Sequence, residues 1–199
     1  GAMFGNNKGT SYSQCDQHAR ETLKFALSNP EIDTIVITAY WEAYLRRNDA
    51  VPQASTEGLF IHPNTNQSID ASQEIFFQGV MDVVRLLRDA DKKVVIVHDL
   101  PDMPTNIPWV NSRKIMAGLT LETYFEFDNE ISFNDRIEAM AVREGARSIR
   151  LSELICESGP DRCRILMGNI SLYRDNNHLS KSGATDFVGP WLTERMEGL

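Results

Sequence analysis

Residues 92–100 read "KKVVIVHDL", two lysines followed by four consecutive apolar residues, three of them valine. The run is too short for a helix and does not alternate, so it predicts a strand covered on both faces, as in a parallel sheet. "DTIVITAY" at 33–40 has the same character. Around these runs the apolar period changes to that of a helix. Asp16 is placed to cap a helix carrying Ala19, Leu23, Ala26 and Leu27, which ends near Asn29-Pro30. From about Ser72 to Ala90 a stripe of Ile75, Phe76, Val80, Val83, Val84 and Leu87 predicts a second helix. A third is expected from near Asn129 to Glu144, stopped by Gly145. "SIRLSEL" at 148–154 reads as a weaker strand or extended piece, and "SKSGATDFVGPWLTERM" as a terminal helix kinked at Gly189-Pro190. The segment 46–70 and the proline-rich "PDMPTNIPW" at 101–109 read as irregular. Strands alternating with helices give an α/β class with a mainly parallel sheet.

A chain of 199 residues with 42% hydrophobic content fits one domain, expected to span 4–199. Gly1-Ala2-Met3 resembles the remnant of a protease-cut cloning site and is set aside. A net charge of -8 argues against a nucleic-acid partner, which needs a basic face. With no apolar run of about 18 residues, nothing in the chain is expected to span a bilayer. The fragment is therefore expected to be soluble.

Cys156 and Cys163 bracket "CESGPDRC", a loop able to close as a disulfide. Buried or free thiols and a zinc site are the alternatives, the last lacking a second Cys/His pair nearby. A disulfide would place the chain in an oxidising compartment. No cofactor and no metal are expected.

Ligands of parallel sheets bind beyond the carboxyl ends of the strands. There the chain offers "LYRDNNHLS" at 172–180, with Asp175 three residues before His178. A carboxylate at that spacing can hold one ring nitrogen and leave the other to take a proton from a nucleophile. The plainer alternative is that both side chains only cap the following helix.

"GNISLYRDNNHLSKSGA" at 168–184 closely resembles the last block of the SGNH (GDSL-like) hydrolase and esterase superfamily. It looks most like the form found in periplasmic domains fused to type-three membrane acyltransferases. "IDTIVITAYWEAY" and "LICESGPDRCRI" are similar to two further segments of that subfamily, so the resemblance spans roughly residues 15–193. It implies a flavodoxin-like three-layer α/β/α fold, with Asp175 as triad acid and His178 as general base. Trp41 would line the site or stack on a sugar face, with an ordinary core or rim tryptophan as the alternative, and Tyr173 and Arg174 would shape the pocket.

The superfamily's Gly-Asp-Ser block, which carries its nucleophile, occurs nowhere in these residues. Ser11 and Ser13, in "GTSYSQC", lack the strand-to-turn setting that exposes a nucleophile. The expectation is that the chain begins downstream of the block, lacks the family's first strand, and is incomplete or inactive as it stands. The Gly-x-Asn-Asp block, a source of oxyanion-hole donors, is likewise replaced, with Trp41 at that point. His98-Asp99, His62, His18 and the pair Arg46-Arg47 read as structural or solvated. What the resemblance implies is the extracytoplasmic, periplasmic domain of an O-acyltransferase that acts on a cell-surface polysaccharide, joined to a membrane acyltransferase domain of the same polypeptide. A carbohydrate O-acetylesterase and a non-catalytic glycan-binding domain are the rival readings.

Overall fold

The computed structural model describes residues 12–39, 41, 69–126, 132–157 and 162–197. It is a mixed α/β protein that divides into two compact units, Gly1–Val97 with Asp135–Ile149, and His98–Asn134 with Arg150–Leu199. Among the described residues no helix is long and apolar enough to cross a membrane.

The first unit is built on a parallel sheet of order β1-β2-β4, with β1 at Thr34–Thr38, β2 at Lys93–Val97 and β4 at Arg147–Ile149. Ile35 pairs with Val94 and Ile37 with Ile96, while Val97 pairs with Ile149. Val94 to Val97 are buried, as the uninterrupted apolar run requires. β1 departs from the expectation of a strand covered on both faces: Val36 is 41% exposed. Among the described residues β1 pairs with β2 alone, and an edge strand has neighbours on one side only.

Helix α1, Tyr12–Ser28, begins four residues before the expected cap at Asp16. Helix α2, Ile69–Asp89, buries Phe76, Phe77, Val80, Met81, Val84 and Leu87, the stripe set by its 3.6-residue period. Helix α4, Ser132–Arg143, buries Ile137 and Ala141. Gly145 ends this turn at φ 75°, a conformation that favours glycine. Arg85 of α2 makes a two-pronged ion pair with Glu144 (Nε–Oε2 2.7 Å), and the guanidinium of Arg136 lies 4.0 Å from the Phe77 ring centre. Buried Lys92 donates to the carbonyls of Asn29 (2.8 Å) and Ile32 (2.6 Å), fastening the α1-to-β1 turn to the start of β2.

In the second unit the chain corrects the reading of 101–109 as irregular throughout. Helix α3 starts at Ile107 and runs to Met116. Proline is tolerated in a first turn, where its missing N–H has no helical partner anyway. Asn106 caps this helix, its side-chain oxygen accepting the Trp109 N–H at 3.0 Å. "SIRLSEL" is likewise not one extended piece: after β4 a short helix α5 spans Ser152–Ile155. Two antiparallel ribbons complete the unit, β3 (Tyr124–Glu126) with β5 (Arg162–Arg164), and β6 (Leu166–Met167) with β7 (Ile170–Ser171). Cys156 and Cys163 are joined by a disulfide, S–S 1.99 Å, closing the end of α5 onto β5.

The terminal helix is not α-helical throughout. Residues 183–188 form a π-helix that passes into α6, Gly189–Met196. Pro190 has no N–H to offer the ordinary ladder, and the Gly189 N–H reaches back five residues to the Ala184 carbonyl.

Candidate active site

Leu172 to Ser180 form a short hairpin-like loop. Tyr173 and Leu179 make an antiparallel bridge, the Arg174 N–H donates to the His178 carbonyl (2.8 Å), and the Ser180 N–H donates to the Leu172 carbonyl (2.8 Å). The five residues 174–178 between these ties have little freedom left. Asp175 then serves two ends. Its Oδ1 accepts the backbone N–H groups of Asn177 (2.9 Å) and His178 (2.8 Å), the local turn that aspartate side chains favour. Its Oδ2 lies 2.8 Å from Nδ1 of His178.

Partial burial pushes the Asp175 carboxyl up, but the two backbone N–H groups and then His178 outweigh that and lower it to about 2. Ionised near neutral pH, it can only accept, so the proton of the shared bond sits on Nδ1. In the neutral ring the distal Nε2 is then the nitrogen with the free lone pair. The His178 side chain is 60% exposed against 28% for Asp175, so the dyad is open on the imidazole side. Arg174, 69% exposed, places Nε 3.9 Å from Oδ2.

The loop is gripped from both sides by groups of its own unit. On one side, the Met103 N–H donates to the Asn176 carbonyl (2.8 Å) and the Ile107 N–H, at the start of α3, approaches the Asp175 carbonyl at 3.4 Å. The hydroxyl of fully buried Tyr173 donates to the Pro101 carbonyl at 3.2 Å. Burial, and then the charge of Asp102, push that phenol up, so it stays a donor. On the other side, Ser180 Oγ donates to the Ser171 carbonyl (2.6 Å) and accepts the Gly183 N–H (3.0 Å). A Cβ on Gly183 would fall 2.4 Å from the Leu172 carbonyl oxygen, so glycine is required where the π-helix crosses the loop.

Of the residues singled out in the sequence, Asp175, His178, Tyr173 and Arg174 come together here. Trp41 belongs to the other unit, 2% exposed, with its indole N–H donating to the Val97 carbonyl (3.0 Å) and its ring edge-on to Phe76 at 6.0 Å. Neither Trp41 nor Tyr173 offers a ring face to a sugar, because both rings are spent on packing. Of Trp41, Tyr173 and Arg174, Arg174 alone is on the surface. His98 is buried at the end of β2 and His18 is exposed on α1. Ser13 lies in the first turn of α1, and Ser11, Arg46, Arg47 and His62 lie outside the described residues. The amides of Met103 and Ile107 were not foreseen; the Asn106 cap just before an Ile-Pro start was the one available signal for the element that supplies them.

A family model for the SGNH domain fused to AT3 domains matches residues 2–191. The chain belongs to this SGNH domain family. Among solved structures the domain is similar to the periplasmic domain of the lipopolysaccharide acetyltransferase of Salmonella ser. Paratyphi A. The identity is 12%, the TM-score 0.57, and the match covers 96% of this chain and 68% of that one. At such identity the likeness is one of fold, and the fold it supports is the mixed α/β SGNH arrangement expected from the sequence. No curated protein matches the chain.

Proposed function

We propose that this SGNH domain is the periplasmic part of a membrane O-acyltransferase that transfers acyl groups to a cell-surface polysaccharide. His178 acts as general base and acid, and Asp175 fixes its tautomer and stabilises the imidazolium. The observation that carries this reading is the 2.8 Å Asp175–His178 contact beside an exposed imidazole face. In the working enzyme Nε2 would take the proton of a serine hydroxyl as its oxygen attacks an acyl donor. The donor's leaving group would depart with that proton, giving an acyl-serine. A sugar hydroxyl, deprotonated by the same nitrogen, would then accept the acyl group and free the serine. A serine in the family's Gly-Asp-Ser setting is absent from this sequence, so the nucleophile is to be sought in residues of the parent protein beyond these.

The family's fusion to AT3 domains and the fold likeness to a lipopolysaccharide acetyltransferase support a membrane partner and a glycan acceptor. The test is acyl turnover by the full-length parent protein with wild-type and His178→Ala domains. Turnover should fall by about 10²–10⁴-fold, the span associated with a positioned acid–base group. Unchanged turnover removes His178 from the reaction. Product analysis with sugar and with water as acceptor separates the transferase from an esterase.

A further inference from the structure

Trp41 and Tyr173 are buried, yet the unit that carries the dyad loop exposes an indole on the helix whose first N–H meets that loop. Trp109 is 56% exposed in the first turn of α3. That turn begins at Ile107, whose N–H meets the Asp175 carbonyl, and is set by the Asn106 cap on the Trp109 N–H. Side chains on a helix lean toward its N-terminus, so the indole at 109 is carried back toward the end of α3 that touches residues 175–176. One turn further on, the Arg113 guanidinium lies 4.8 Å from the indole centre, as the same lean requires. The ring is therefore held in place from the Arg113 side while more than half of the residue stays open.

A large apolar ring left in water gives up roughly 25 cal/mol for every Å² it could have buried, so its fixed orientation next to a catalytic loop calls for a ligand. The chemistry on offer is an electron-rich indole with the Arg113 guanidinium over one face of it, and a second exposed guanidinium, Arg174, on the dyad loop that α3 touches. That combination suits a pyranose. Its axial C–H groups pack on the negative ring face, and its hydroxyl or carboxylate oxygens accept from the guanidinium N–H groups.

We propose that Trp109, with Arg113 behind it, is the platform on which one sugar ring of the acceptor glycan stacks, so that a neighbouring hydroxyl faces His178. The inference rests on the glycan-acceptor reading of the site and specifies where that acceptor lies.

The experiment is a retention assay of this chain on an array of purified bacterial O-antigen and capsular polysaccharides, de-O-acetylated with mild base so that acceptor hydroxyls are free. Wild type, Trp109→Ala, Trp109→Phe and Met116→Ser are compared. Met116, 87% exposed on the same helix, controls for general apolar adhesion. Wild type should retain at least one polysaccharide. Trp109→Ala should weaken that retention tenfold or more, Trp109→Phe should restore much of it, and Met116→Ser should match wild type. Retention undiminished in Trp109→Ala, no retention by wild type, or an equal loss in Met116→Ser each overturns the platform. Full-length acyl turnover in His178→Ala tests the dyad separately, so either idea can fail while the other stands.

Discussion

The carbonyl oxygen of Leu172 lies 2.4 Å from the position a Cβ would take on residue 183, closer than any real contact of that kind. Leu172 opens the dyad loop and Gly183 opens the π-helix, so their backbones are pressed together through a missing side chain. Gly183→Ala should therefore cost about 1–3 kcal/mol, the usual penalty of overpacking. It should also displace Asp175 and His178 together. Urea denaturation reads the first effect, and the NMR shifts of the His178 ring read the second. An alanine variant with wild-type stability and ring shifts would contradict the crossing.

Acid should loosen the loop in a defined window. The Asp175 carboxyl sits at about 2 in the folded chain, below the roughly 3.9 of an unfolded aspartate. A carboxyl depressed by folding adds stability at pH values above its unfolded value, and that stability is lost as pH falls through the folded one. The acid-side change in the Asn177 and His178 amide shifts, which follows loss of the accepting carboxylate, should thus be centred at about pH 2 and be small above about 3. Asp175→Asn should abolish this step. Amide shifts already lost at pH 5 in the wild type would contradict the assignment.

Reduction of the Cys156–Cys163 bond should lower stability by about 2 kcal/mol, as the constraint on a short closed loop suggests. Ile165, two residues after Cys163 and just past β5, has its carbonyl accepting the Leu172 N–H (2.9 Å), so the loss should reach the dyad loop. Hydrogen exchange with and without a thiol reductant should show faster exchange at Leu172. Equal protection in both would show that the bond and the loop are uncoupled.

Lys92→Met keeps most of the buried stem but removes the ammonium that the Asn29 and Ile32 carbonyls share. The half-buried Ile32 carbonyl then loses its partner, at a cost of at most about 1–3 kcal/mol, while the Asn29 carbonyl still accepts the Ile32 N–H (3.3 Å). The urea midpoint should fall, with faster exchange confined to the α1-to-β1 turn.

Much of this was open to reading from the chain. Val94 to Val97 announce a covered strand because nothing in them suits water, and the α2 stripe repeats with helical spacing. Asp175 and His178 were legible because a three-residue spacing lets the two side chains meet. What surrounds them was not. The loop is held by N–H groups of Met103 and Ile107, and every residue but proline carries one, so sequence does not mark which are used. Helix α3 was masked by prolines that sit harmlessly in or before its first turn. β3 and β5 have three residues each, too few for a period to emerge. Trp41 shows the reverse difficulty: an aromatic just past a strand suits a rim or a core equally, and only its bond to the Val97 carbonyl decides.

Main-chain anchoring of residues 175 and 176 has a consequence for how such domains diversify. Since Met103 and Ile107 hold carbonyls rather than side chains, the exposed positions 174 and 176 can be exchanged without disturbing the scaffold that aims the imidazole. Mutational libraries confined to those two positions would vary the surface around the imidazole while its 2.8 Å contact with Asp175 is inherited intact.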